Sequence, residues 1–310
     1  MHKSKKPKKS RYTLIKGQYW IHNPDRPRQG PQPDGDTIRF EPDALDLIRR
    51  LPRFSGTAPS IRNGQINVRY EGIDALETHF NGAHQDLVFA NKARDHNLAL
   101  LGFTNVSFFP DAPNVVESVD QNPLPGYVIA NGIEANGRLL GLVFDGATDL
   151  SDGERVFVDN TLLDQSVNAK LVVAGLAYVE PYDTMPISLV RHLRNQAHTA
   201  RGANIALWKS EDVSTEKAAR IRTLADAQTL VLWPKLFRRL ATYFHEGNTG
   251  LDQFDTWIRD DRVDRDDALR LPDGEKGNMH DTYLIDGDTL QLLFRPEDLL
   301  ITPDPNPALI

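Results

Sequence analysis

Five charged side chains stand in an order and at spacings that suit chemistry on a phosphate. Asp34-Gly35-Asp36-Thr37 opens one strand-like segment. Arg69 lies on a later, alternating segment, with Asp74 five residues on and Glu77 three beyond that. Asn136-Gly137-Arg138 then opens a third, densely apolar segment. Two carboxylates, Asp36 and Asp74, with a backbone carbonyl and water suit a hard cation such as calcium, which takes oxygen ligands. The guanidiniums of Arg69 and Arg138 can hold a phosphodiester by paired hydrogen bonds, and grip harder as charge builds on a pentacoordinate transition state. Glu77 can align and deprotonate an attacking water. Each part also has an ordinary reading. An Asp-Gly pair is a common hairpin turn, and Arg69 beside Glu71 or Asp74 is a plain salt bridge. The ordered conjunction on strands is what points to a site.

The elements that must position these residues are legible in outline. The pattern predicts strands over 37–40, 66–70 and 138–144. In the second, Ile66, Val68 and Tyr70 share one face, so Arg69 points away from whatever they bury. Apolar spacing predicts helices over 83–101, 167–176 and 187–208, with a short helical piece at 45–48. Residues 104–130, bearing Pro110, Pro113, Pro123 and Pro125, read as a long loop. Beyond residue 210 the chain reads as mainly α-helical: 215–232, then a helix opened by Pro234 with Trp233, Phe237, Leu240 and Phe244 on a packing stripe. A second Asp-Gly-Asp-Thr, at 286–289, lies between apolar runs without the Arg, Asp and Glu spacing of the first. It reads as a β-hairpin turn.

Charge is unevenly placed along the 310 residues. The net charge of −7 is the sum of +7 over residues 1–16, −6 over 17–210 and −8 over 211–310. The total argues against an acidic partner, but a basic arm on an acidic body is a pattern for a tail that touches phosphate. It is equally the pattern of a solubilising terminus. No apolar run reaches the roughly 20 residues of a membrane helix. No apolar stretch follows the basic residues as a secretory signal requires, so a cytoplasmic address is expected. The absence of cysteine excludes disulfides, a thiolate nucleophile and cysteine–zinc sites. His79, His84, His192 and His198 form no metal-ligand pattern.

With those residues in hand, the chain resembles the staphylococcal-nuclease-like (thermonuclease) domains. The resemblance is carried by Asp34-Gly35-Asp36-Thr37, by Val68-Arg69-Tyr70-Glu71-Gly72-Ile73-Asp74-Ala75-Leu76-Glu77-Thr78 and by Asn136-Gly137-Arg138-Leu139-Leu140-Gly141. Further matches are Val167-Asn168 to Leu171, Gly175-Leu176-Ala177-Tyr178-Val179 and Asn204-Ile205-Ala206-Leu207-Trp208. It covers about residues 14–210 and does not extend to the last hundred. It implies an α+β fold: an OB-fold, a five-stranded Greek-key β-barrel with packed helices. It also implies calcium-dependent cleavage of DNA and RNA, leaving 3′-phosphates. Carried over by position, Asp36 and Asp74 match the calcium carboxylates, and Ala75 the residue lending its backbone carbonyl. Glu77 matches the general base, and Arg69 and Arg138 the phosphate-binding arginines. Tyr182 is the candidate for stacking on a base. Two departures stand near the site: Ala75 replaces the usual Thr, and Leu76 replaces the usual Pro, freeing the turn before Glu77. Insertions at 41–62, 104–130 and 147–163 reshape access.

The expected organisation is therefore a basic flexible tail at 1–16, a nuclease domain at 17–210 and an accessory C-terminal domain at 211–310. That last part, mainly helical with a β-hairpin, reads as a partner-binding or oligomerising domain or a lid over the site. The expected function is that of a metal-dependent nuclease with nucleic acid as substrate. The alternative is a non-catalytic barrel of the same kind that binds nucleic acid or protein.

Overall fold

Alternation of apolar and polar residues builds a barrel whose outer face carries the charged cluster. The computed structural model describes residues 12–260 and 265–303. The barrel strands are β1 (Tyr12–Trp20), β2 (Thr37–Pro42), β3 (Ile66–Tyr70), β4 (Leu124–Ile133) and β5 (Leu139–Asp145). They pair in the order β1-β2-β3-β5-β4 and back to β1, with β3 and β5 parallel and the other pairs antiparallel. This is a closed five-stranded mixed barrel with packed helices, an α+β fold consistent with an OB-like barrel. Closure leaves no open sheet edge. Ile38, Phe40, Ile66, Val68 and Tyr70 point inward and are buried, while Thr37, Arg39, Asn67 and Arg69 stand on the outer face. Among the described residues no helix is long and apolar enough to cross a membrane.

Three helices fix the barrel's site-bearing end: α1 (Leu87–Leu100), α2 (Val167–Val173) and α3 (Ile187–Gly202). Strand β5 is buried along its whole length except Asp145, as expected of a strand covered on both faces. Asn168 on α2 stitches the layers together. Its side-chain oxygen accepts from Val143 N (3.0 Å), and its amide donates to Glu71 O (3.0 Å) and Gly141 O (3.2 Å). The stitch holds the turn that follows Arg69. Gly72 in that turn has φ +80°, a conformation that favours glycine, and its bare Cα leaves room for the ends of Leu193 and Met185.

Several features depart from the sequence reading. Residues 12–16, assigned to the basic tail, belong to β1. Buried barrel strands need not alternate, and the Lys16 ammonium escapes to the rim, donating to Thr148 O (2.9 Å). Residues 1–11 lie outside the described residues. The expected loop at 104–130 instead holds a two-stranded ribbon (Ser107–Phe109, Ala112–Ser118) and the first half of β4. Pro125 sits near the start of β4, where a strand tolerates a missing N–H.

Beyond residue 210 the chain is not mainly helical. The described residues carry α4 (Pro234–His245), short helices at Leu224–Gln228 and Phe254–Ile258, and two three-stranded sheets. Ala218–Arg220, within the expected helix 215–232, is a strand because it pairs with Thr289–Leu292. Tertiary pairing there overrides the helix preference of alanine. The second Asp-Gly-Asp-Thr forms the hairpin turn between Tyr283–Asp286 and Thr289–Leu292, with Gly287 at φ +57°. This C-terminal lobe shares a core with the barrel lobe: Leu76, Ala90, Tyr178, Leu207 and Trp208 pack in one cluster with Trp233, Phe237 and Leu240. The boundary at residue 210 thus runs through common packing.

Candidate functional site

The short strand Ile73–Asp74 leaves the Gly72 turn and pairs with Tyr178–Val179. This returns the chain beside β2 and β3 and brings Asp74 to Arg69. The loop before β2 is clamped from the other side. Asn97 on α1 donates to Asp34 O (2.8 Å) and accepts from Tyr70 Oη (2.7 Å). Gly35 lies against the methyls of Ala75 and Ala93, at 2.5 and 2.9 Å from where its own Cβ would stand. A side chain at residue 35 would push Asp36 away from Asp74.

Asp36, Arg69, Asp74 and Glu77 are brought together at one end of a cleft of about 950 Å³ lined by both lobes. Arg69 lies between the two aspartates, pairing with Asp36 Oδ2 and, at 2.7 Å, with Asp74 Oδ1. Asp36 Oδ2 also accepts from Ala75 N (3.0 Å). A second guanidinium, that of Arg238 on α4, reaches the same acids from the C-terminal lobe. It donates to Asp74 Oδ1 and Oδ2 (3.1 and 3.0 Å) and to Glu77 Oε1 (2.6 Å). Glu180 lies behind them, fully buried, 3.7 Å from Arg69 and 3.9 Å from Arg238. Trp233 Nε1 (3.0 Å) and Tyr182 Oη (3.2 Å) donate to its carboxylate.

The charges set each other. Burial opposes ionisation of Asp74, but Arg238 and Arg69 overcome it and hold its carboxyl well below the usual range. Glu77 is raised: burial dominates, and Asp74 and Asp36 add to it against the pull of Arg238. Asp34 is raised further by burial, with Glu77 and Asp36 contributing. Glu180 is pushed up to about 7 by burial and the Asp74 charge. Carboxyl groups thus outnumber the two arginines, and the excess appears as raised proton affinity at Glu77, Asp34 and Glu180.

The expected second phosphate arginine is paired with an acid of its own. Arg138 lines the same cleft, but its Nε and Nη2 donate to the two oxygens of Glu134 (3.2 and 3.3 Å). Glu134 also caps the turn, accepting from the backbone of Asn136 and Arg138. Tyr182 lines the cleft half-buried, with Lys235 Nζ 5.6 Å over its ring and 3.2 Å from its hydroxyl.

Calcium suits the donor set in kind: Asp36, Asp74 and Glu77 are hard oxygen donors in a locality where carboxyl groups outnumber arginines. The arrangement differs from a metal cage. Among the described residues no three His, Asp or Glu side chains are grouped to hold a metal ion. The oxygens of Asp36, Asp74 and Glu77 point at guanidinium and amide nitrogens. A bound cation would have to take over these lone pairs.

Arg238, Glu180 and Lys235 were not singled out by the sequence. A signal existed: Lys235, Arg238 and Arg239 recur at i, i+3 and i+4 of α4, a basic face opposite the apolar stripe in a region of net charge −8. All three meet carboxylates: Lys235 and Arg239 pair with Asp267 (both 2.8 Å), and Arg238 with the cluster.

Comparison with protein-family models gives no match, and comparison with curated proteins gives no relative either.

Proposed function

We propose that this chain is a metal-dependent nuclease, hydrolysing DNA or RNA phosphodiester bonds at the Asp36–Arg69–Asp74–Glu77 cluster, on a barrel of the staphylococcal-nuclease-like type. The observation that carries the reading is Glu77 itself. It is a carboxylate of raised proton affinity lining the cleft, with the Arg238 guanidinium beside it and Arg69 in the same cluster. A base whose pKa is raised above the ordinary carboxylate value is better suited to take a proton from water than an ordinary carboxylate. Arg69 offers planar, charge-assisted donors to a phosphate, and these gain strength as charge builds on the equatorial oxygens. Calcium, held by Asp36, Asp74 and the Ala75 carbonyl, would supply neutralisation of the phosphate oxygens. Binding it requires Arg238 to withdraw from Asp74.

The same contact supports a second reading. Arg238 engages the carboxylates that a cation and a water would use, which suits a barrel that binds nucleic acid or protein without turnover. Incubation of the full chain with plasmid, single-stranded DNA and RNA, with calcium and then with a chelator, separates the two. Cleavage with calcium that is absent in Glu77→Gln is expected. No cleavage above the Glu77→Gln control would leave the binding reading standing.

A further inference from the structure

The cleft continues past the carboxylate cluster to a pair of arginines that this cluster does not use. Strands β2 and β3 pair Thr37 with Arg69 and Arg39 with Asn67. Side chains two residues apart on a strand share a face, so Arg39 stands on the same outer face as Arg69. It is a diagonal neighbour, about 7 Å along. Arg62, in the turn that leads into β3, is close enough for its charge to act on Arg39, and both line the cleft.

These two differ from the other cleft arginines in having no acid. Arg69 is held by Asp36 and Asp74, Arg138 by Glu134, Arg238 by Asp74 and Glu77, and Arg239 by Asp267. Glu41, two residues from Arg39 on β2, receives Gln65 Nε2 (3.2 Å), and Glu134 is taken by Arg138. Among the described residues neither Arg39 nor Arg62 has an ion-pair partner, and Arg39 Nε is buried with no acceptor. Burial and the neighbouring Arg62 charge both lower the proton affinity of Arg39. In a chain of net charge −7, two adjacent guanidiniums that line the cleft without a carboxylate partner leave an unmet demand for an anion. An anion between them satisfies the orphaned donor and removes the like-charge repulsion.

We propose that Arg39 and Arg62 form a second phosphate subsite, which takes the phosphodiester one nucleotide along from the bond presented to Arg69. The inference rests on the nuclease reading for the identity of its ligand, and deepens it: the substrate is a polynucleotide strand, read through consecutive phosphates. A step of about 7 Å along the sheet face is comparable with one nucleotide repeat of an extended single strand. Guanidinium forks match phosphate oxygens in pairs, where a lysine would act as a point charge.

The test is fluorescence anisotropy with the full chain and a chelator present, so that binding is read without turnover. The probes are a labelled short oligothymidylate and a labelled oligouridylate, with thymidine 5′-monophosphate as competitor. Arg39→Met, on the outer face of β2, and Arg62→Met, in an exposed turn, should keep the wild-type melting temperature. Each should weaken oligonucleotide binding by about tenfold, as for removal of one charge-assisted hydrogen-bonding group. The slope of log K against log salt should fall by about 0.7 for each phosphate that is no longer neutralised. Affinity for the mononucleotide should stay unchanged. Arg39→Lys should keep the salt slope and lose part of the affinity. Unchanged oligonucleotide affinity and slope, equal weakening for the mononucleotide, or no oligonucleotide binding by the wild type would each overturn the subsite. Cleavage is scored separately: arginine-dependent binding without calcium-dependent cleavage removes the nuclease reading and leaves the subsite. Cleavage indifferent to both substitutions does the reverse.

Discussion

Arg238 Nη1 stands 2.6 Å from Glu77 Oε1, joining residues 161 positions apart in the chain. The same guanidinium holds both oxygens of Asp74. One side chain of the C-terminal lobe thus ties the base candidate to a calcium-ligand candidate. Gln85 reinforces the link, receiving Glu77 N on its side-chain oxygen (3.2 Å) and donating to Leu232 O (2.9 Å), just ahead of α4. The C-terminal lobe is therefore part of the site's construction.

Removing Arg238 leaves Asp74 buried and Glu77 without its cation. Breaking a buried pair from one side typically costs about 3–5 kcal/mol. Arg69 still faces Asp74, so the lower end, about 3 kcal/mol, is expected for Arg238→Met. Urea unfolding of the full chain measures it. Calcium should then raise the melting temperature of Arg238→Met more than that of the wild type, because the vacated carboxylate oxygens are free to ligate it. An equal or smaller rise in the variant would show that Arg238 and calcium do not compete.

If Glu77 is the base, its raised proton affinity sets the acid limb of hydrolysis. The base works only when ionised, so the rate should fall as pH drops through its pKa, and that fall should lie above the 4.5 of an ordinary glutamate. Arg238 pulls the Glu77 pKa down, so in Arg238→Met the limb should move to higher pH. A pH profile of kcat/KM on a single-stranded substrate checks both. A limb at the ordinary carboxylate pKa in both proteins would remove Glu77 from the role.

How much of this was legible in the sequence follows from how far apart in the chain the partners lie. Asp36, Arg69, Asp74 and Glu77 meet because the antiparallel register of β2 with β3 and a glycine turn place them, and strand alternation and the glycine leave local marks in the chain. Alternation in Ile66 to Tyr70 even assigned Arg69 its face. Strand β1 was missed because a strand enclosed by barrel and loops shows no clean period, and β4 because Pro123 and Pro125 read as loop. Arg138, expected as a phosphate-binding arginine, lines the cleft, but its pairing with Glu134 depends on a turn geometry that spacing does not encode. Arg238 was beyond reach because its partners lie on another lobe. The apolar stripe of α4 was visible; what its basic face would meet was not.

Gly35 offers a direct test of how the site is positioned. Its would-be Cβ falls 2.5 Å from the Ala75 Cβ and 2.9 Å from the Ala93 Cβ, and neither methyl is a flexible chain end. Gly35→Ala must shift either α1 or the Asp36 loop. Overpacking of this kind costs about 1–3 kcal/mol. Because Asp36 is the neighbour, any retained activity should drop more than stability does. Ala93→Gly in the same chain should restore part of both. Wild-type stability and activity in Gly35→Ala would mean that the loop yields freely.

Glu71 tests the electrostatics of the turn apart from the carboxylate cluster. Its carboxyl is buried and pushed up to about 7 by burial, with the Asn131 amide as a partly offsetting donor. A raised carboxylate pKa means the native state holds the proton more tightly than the unfolded chain, whose value is 4.5. Below that pH both states are protonated and the group is neutral in effect. As pH rises through the window to about 7, the native state must ionise a buried acid and loses stability, by roughly 3 kcal/mol once the window is passed. Glu71→Gln keeps an oxygen for Asn131 and removes the charge. Measured by urea unfolding, the variant should gain on the wild type between pH 5 and pH 8 by roughly that amount. Glu180, whose pKa is also about 7, adds the same slope to both proteins and cancels in the difference. Parallel stability profiles for the two proteins would show that Glu71 is not ionised at the cost of native stability.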